Sequence, residues 1–216
     1  SKIKNLLHRF NSISLREDSG VEICRRVFGV DAALVLDPTL LLSSYDYKNI
    51  LGNVNPSLPR SYAATFFLDS ALNEYERNVR SMLHGFINLK TVSLSIPFFR
   101  FRGASYTYNP KSVLEWIYTL KYADFIVTDS FHCVVFAIIF EKNFICIVNP
   151  RRGATRLQSF LGMLGLKEHL VEKDQLDKEK ISAIYKRPIN FKKINSILEK
   201  KKKISLQYLN DALKVC

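Results

Sequence analysis

Apolar runs of membrane length are absent from this sequence. The longest, Cys133 to Phe140, falls well short of the roughly 18–20 residues that cross a bilayer. Cysteine is scarce. Cys24, Cys133, Cys146 and Cys216 lie far apart, with no C-x-x-C pair and no His at metal-ligand spacing, which argues against zinc. Two of the four sit inside apolar runs, where Cys behaves as a small hydrophobe, so reduced thiols in a cytoplasmic compartment are expected. No internal repeat or low-complexity tract occurs, apart from four lysines at Lys200–Lys203. No signal peptide is visible, and the first residue is Ser rather than Met, so the sequence reads as a fragment of a longer protein. Acidic residues are few beside basic ones, 20 against 32, giving a formal net charge of +12. Such a balance attracts anions: phosphorylated substrates, nucleic acid or a lipid surface. No compact nucleic-acid motif accompanies the charge, so nucleic acid is not expected as a partner.

What is present is an ordinary globular composition, 47% hydrophobic and 24% charged, organised around Ala123–Phe140. Phe125-Ile126-Val127 has the makeup of a strand buried on both faces. Thr128-Asp129-Ser130 supplies small polar residues that end a strand and cap a helix. From His132 onward the run is apolar enough for a core helix. A strand, a polar turn and a helix start are where open α/β sheets bind ligands, because free N–H groups and the helix dipole face outward there. An imidazole at that place can hold an anion or move a proton. The same residues also suit plain capping, with His132 structural.

Along the chain, residues 1–10 read as the end of a helix and Ile13–Leu15 as a short strand. Asp18 or Ser19 caps a helix to Phe28, stopped by Gly29. Ala33–Leu36 is a strand closed by Asp37-Pro38, and a short helix follows around Tyr45–Leu51. Gly52–Arg60, with two Pro and two Asn, is the best linker. Strand and helix then alternate: Tyr62–Leu68, Glu74–Asn88, Thr91–Ile96, a helix opened by Pro110 and running to Tyr122, the central strand and helix, and Asn143–Val148. Phe98–Asn109 between them reads as an aromatic loop. A helix through Leu164, stopped by Gly165, precedes a short strand at Leu170–Val171 and a helix over Asp177–Tyr185. An amphipathic helix over Ile194–Leu213 ends the chain. The alternation predicts a parallel sheet with right-handed crossovers.

Two successive strand ends, Thr128–His132 and Asn149–Arg156, would neighbour each other. Asp129, Ser130 and His132 would then meet Arg151, Arg152 and Arg156, a pocket suited to phosphate or carboxylate. The arginines also fit a solvated basic loop. Arg16 is either a ligand across a cleft or a surface charge paired with Glu17. The lysine run is expected on a solvated helix surface, the alternative being peripheral attraction to an anionic membrane.

Four blocks in order, I-S-L-R-E-D-S-G, V-L-D-P-T-L-L-L, Y-A-D-F-I-V-T-D-S-F-H and N-P-R-R-G-A-T-R-L-Q-S-F-L-G-M-L-G-L, resemble the polysaccharide pyruvyl transferase family and cover most of Ile13–Leu166. That resemblance implies an α/β chain like the C-terminal half of a B-type glycosyltransferase fold, preceded by the end of another α/β domain. Residues 1–52 would close an N-terminal Rossmann-like domain, 53–60 link it, 61–193 form the C-terminal Rossmann-like domain and 194–216 a terminal helix. It further implies transfer of a pyruvyl group from phosphoenolpyruvate to a saccharide, lipid-linked or free, as a cyclic ketal in surface-polysaccharide assembly. His132 would be the acid/base, with Arg16, Asp129, Ser130, Arg151, Arg152 and Arg156 binding substrate, and no metal or cofactor. Ser130-Phe131 stands where that class often carries Arg-Leu, and Cys133 where many relatives have Gly. Two other readings stay open: a nucleotide-sugar-dependent glycosyltransferase of the same fold, and a non-catalytic relative that binds an anionic glycan.

Overall fold

The computed structural model describes residues 2–68, 73–94, 105–108, 110–150 and 154–214. Helix α1 (Lys2–Leu7) precedes strand β1 (Ser14–Leu15), helix α2 (Asp18–Ile23) with a wider turn over Cys24–Phe28, and strand β2 (Ala33–Leu34). Gly29, at φ 61°, ends that turn in the left-handed region that glycine enters without steric cost. There follow α3 (Ser44–Leu51), β3 (Tyr62–Phe66), α4 (Asn73–Ile87), β4 (Lys90–Ser93), β5 (Ser105–Thr107), α5 (Val113–Tyr122), β6 (Phe125–Thr128), α6 (Phe131–Ile139) and β7 (Asn143–Ile147). The chain ends with α7 (Ala154–Leu164), β8 (Leu170–Val171), α8 (Lys178–Lys186) and α9 (Phe191–Lys214).

Two expectations need correction. Residues 105–107 of the supposed aromatic loop form β5, paired in parallel with β4. Proline 110 does not open α5. Ser112 caps that helix, its hydroxyl accepting from Glu115 N at 3.2 Å, while the Glu115 carboxylate accepts from Lys111 N and from the Tyr108 hydroxyl.

The chain forms two compact units, each discontinuous in sequence. One comprises Ser1–Leu42, Gly153–Leu166 and Asn190–Cys216. Here β1 and β2 pair in parallel, Ser14 with Ala33 and Leu15 with Leu34. Ser159 Oγ of α7 donates to Asp18 Oδ2 at 2.9 Å, so α7 docks on the start of α2. Ser205 of α9 is buried and accepts Leu36 N at 2.9 Å.

The other unit comprises Ser43–Arg152 and Lys167–Ile189. Its six-stranded sheet runs β5-β4-β3-β6-β7-β8, every pair parallel. All four residues of β6 are buried, as a strand covered on both faces requires. Successive side chains alternate. Phe125 and Val127 pack with Val79 and Leu83 of α4 and Ile181 and Ile184 of α8. The opposite face carries an aromatic cluster in which Phe136 of α6 meets Tyr47 of α3 and Trp116 of α5 edge-on. Chain order reverses direction between the central strands β3 and β6. This is the switch point at which doubly wound sheets open a crevice beyond their carboxyl ends.

Candidate active site at the carboxyl edge of the sheet

β6 ends at Thr128, and two residues later α6 begins, so the turn between them lies at that switch point. Thr128 fixes it. Its hydroxyl donates to Phe66 O at the end of β3 (2.6 Å) and accepts from Ser130 N (3.0 Å). Asp129 is 1% exposed, and both carboxylate oxygens are engaged. Oδ1 accepts from Leu68 N, just past β3, at 2.8 Å, and Oδ2 from Asn149 Nδ2, just past β7, at 2.9 Å. One buried carboxylate thereby ties together the carboxyl ends of three adjacent strands.

Ser130 is the N-cap residue of α6, with extended backbone (φ −94°, ψ 127°), yet its side chain makes no capping hydrogen bond. The Ser130 side chain thus does not cap α6, and the start of a helix attracts anions through its first-turn N–H groups and the helix dipole. His132, the second residue of α6, is exposed, while Phe131 and Cys133 on either side are buried. The Phe131 ring meets the imidazole edge-on, with centroids 5.5 Å apart. Burial pushes the Cys133 thiol up to about 12, against the opposing pull of the Thr128 and Ser130 hydroxyls. Burial likewise raises the Cys146 thiol, with the Asp129 charge adding to it. Both thiols are therefore inert, because the thiolate is the reactive form.

Asp129, Ser130 and His132 thus share one turn of the second unit. Arg16 and Arg156 belong to the first. Arg16 pairs with buried Asp37, whose other oxygen accepts from Thr39 N at 3.1 Å, rather than with Glu17. Arg156 is half-buried in the first turn of α7. Arg151 and Arg152 lie outside the described residues, and so does the question of whether they face His132. The sequence pointed to the Thr128–His132 turn but not to the part played by Thr128 and Asn149. Their signal was present, since both are small polar residues at the ends of adjacent buried strands. Among the described residues no cluster of His, Cys, Asp and Glu could hold a metal ion, and no helix is long and apolar enough to cross a membrane.

The same fold occurs in solved structures of other proteins. UDP-GlcNAc 2-epimerase of Methanocaldococcus jannaschii, solved with UDP-GlcNAc and UDP, superposes with a TM-score of 0.60 at 13% identity, over 87% of this chain and 60% of that one. The glycotransferase of kitacinnamycin gives a TM-score of 0.55 at 9% identity, over 76% of this chain and 45% of that one. At such identities the likeness is one of fold: a Rossmann-like α/β architecture of the B-type glycosyltransferase kind. This chain spans at most 60% of the length of either structure. No protein of curated description matches it. The model of one family, polysaccharide pyruvyl transferase, matches residues 1–151. That match takes in the strand, turn and helix around His132, and the chain belongs to the polysaccharide pyruvyl transferase family.

Proposed function

We propose that this chain carries the acid/base half of a transferase that moves a pyruvyl group from phosphoenolpyruvate to a saccharide as a cyclic ketal. The observation that carries the reading is an exposed imidazole at the second position of a helix at the switch point of the sheet, in a chain of this family. Ketal formation requires a proton at the enol methylene, attack by one saccharide hydroxyl at the adjacent carbon, departure of phosphate and closure by a second hydroxyl. Each hydroxyl gives up its proton as its oxygen bonds to carbon, one proton ending on the methyl group and one on the released phosphate. His132 serves as the group that moves these protons, and the amino end of α6 holds donor anion charge.

Asp129 acts on this reading as a positioning residue, because both its oxygens are spent on the chain. The arginines proposed as anion holders are Arg16, Arg151, Arg152 and Arg156, and the Ser130 hydroxyl is proposed as a further substrate contact. The acceptor is a saccharide of surface-polysaccharide assembly, free or lipid-linked, and the reaction takes place in the cytoplasm. Residues 1–52 would close an N-terminal Rossmann-like domain, with 61–193 the C-terminal one.

The test is phosphate release from phosphoenolpyruvate by the whole protein with candidate acceptors. His132→Ala is expected to lower turnover by at least about 100-fold while leaving the thermal melt unchanged. Turnover within about threefold of wild type would remove His132 from the chemistry. Hydrolysis of a nucleotide sugar in place of phosphate release would make the protein a glycosyltransferase instead.

A further inference from the structure

At the other end of α6 lies a pocket of about 440 Å³, wholly within the second unit. Its walls come from α3, from the end of α5 and from the turn between α6 and β7. These are the amino ends of β6 and β7, the edge of the sheet opposite His132. His132 and Ile139 stand seven residues apart on α6, about 10 Å at 1.5 Å per residue. The pocket is therefore separate from the turn that carries His132.

Three lysines, Lys48, Lys121 and Lys142, converge on it, with Glu141 the one carboxylate in its wall. None of the three lysines enters an ion pair among the described residues. Asp124 acts on Lys142 through its charge without pairing with it, and its Oδ2 accepts from Ser61 Oγ at 2.6 Å and Tyr62 N at 2.9 Å. Burial draws the Lys142 ammonium below its ordinary value. Burial and then the charges of Lys48 and Lys142 do the same to Lys121. Like charges held together and partly stripped of water gain most from a bound anion.

Two further features fit an anion with a ring attached. Ser43 and Asp46 form a capping box at the start of α3 that satisfies the N–H groups of those two residues. Ser44 and Tyr45, whose N–H groups are the next two of that helix start, line the pocket. At the rim Tyr45 is 69% and Tyr122 49% exposed. Tyr122 has the Tyr118 ring against it and the Lys121 ammonium over it, and the exposed part of each ring is of the kind that stacks on another. Lys142 is held in place from below. Its N–H bonds to Ala137 O at 2.7 Å and that of Glu141 to Ile138 O at 3.2 Å, the paired bonds of a Schellman helix end.

We propose that this pocket is a second anion site, which binds the phosphate or diphosphate of a ring-bearing ligand between Lys48, Lys121 and Lys142, with the ring against Tyr45 and Tyr122. The same chemistry could arrive on a soluble phosphorylated metabolite or on a phosphorylated lipid, and the experiment separates the two.

Calorimetric titration of the whole protein with phenyl phosphate and with inorganic phosphate is the test. Saturable binding of both is expected, phenyl phosphate the tighter. Lys48→Gln/Lys121→Gln should weaken both at least tenfold. Tyr45→Ala/Tyr122→Ala should weaken phenyl phosphate while leaving inorganic phosphate within about twofold. Lys48 and the two tyrosines are exposed, so these variants keep the fold, and the thermal melt verifies it. Retention on vesicles containing phosphatidic acid, but not on vesicles of equal charge made with phosphatidylglycerol, would assign the phosphate to a lipid. Titration without such retention would assign it to a soluble ligand. Unchanged binding in the lysine variant, or phenyl phosphate binding unaltered in the tyrosine variant, would overturn the proposal.

Discussion

His169 shows what burial does to a titrating side chain. It is 1% exposed and its Nδ1 lies 2.8 Å from Phe144 O. A carbonyl only accepts, so Nδ1 carries the proton of this hydrogen bond. Burial lowers its pKa below the ordinary 6.5, Arg187 adding to the effect, while the Phe144 carbonyl and Glu168 oppose it. A base whose folded value is depressed binds fewer protons folded than unfolded in the window below 6.5. Stability is then complete above about 6.5 and falls as pH drops from there towards the depressed folded value. Urea melts at pH 7.5 and 5.0 should show this loss in the wild type and a smaller one in His169→Gln. An equal loss in both would assign the pH dependence to other groups. At this scale the sequence was legible where chemistry and position coincide. His132 follows a β-branched strand and a polar turn, and it stands on the helix start as expected. The convergence of Lys48, Lys121 and Lys142 was not legible, because they come from three separate segments with no motif between them.

Helix ends carry the next scale. Gly165 stands at φ 71° just past α7. The N–H of Leu166 bonds to Leu161 O at 2.8 Å and its own to Gly162 O at 3.2 Å. An added methyl group would meet nothing within 4 Å, so any cost of one is conformational. Gly165→Ala should therefore destabilise the protein by about 1 kcal/mol. Gly85, inside α4 and equally open, has the opposite expectation, since Gly85→Ala should stabilise by roughly 0.5–1 kcal/mol. Urea midpoints of the two variants that moved in the same direction would contradict one of the two assignments. Most elements could be read from the sequence because their apolar periods and stops agree, as for α7 and Gly165. Two were misread for definable reasons. β5 is three residues long, too short for a period-two pattern to register. Pro110 is a helix signal in the sequence, but Ser112-x-x-Glu115, a capping pattern two residues on, sets the true start.

At the scale of the whole molecule, pairings far apart in sequence were the least legible. The bond from Leu36 N to Ser205 Oγ joins residues 169 apart, and periodicity along α9 says nothing about which strand receives it. Nine residues on from its start, that same helix carries the densest charge. Successive residues turn by about 100°, so Lys200–Lys203 sweep roughly 300° and cannot share one face. Lys200 and Lys203 are exposed, whereas Lys201 and Lys202 are half-buried. The Lys201 carbonyl accepts from Ser205 Oγ at 2.8 Å, which holds this part of the helix in place. A run spread around a helix offers no concave seat for a phosphate, and its diffuse charge is screened over about 8 Å at physiological ionic strength. Changing all four lysines to Gln should accordingly alter binding of the whole protein to anionic vesicles by less than about twofold at that salt. The Lys48→Gln/Lys121→Gln variant removes only half as much charge, and it should have the larger effect on vesicles bearing phosphatidic acid if the pocket's phosphate belongs to a lipid. Tight vesicle binding lost with Lys200–Lys203 and untouched by Lys48 and Lys121 would make the terminal helix, not the pocket, the membrane-facing element.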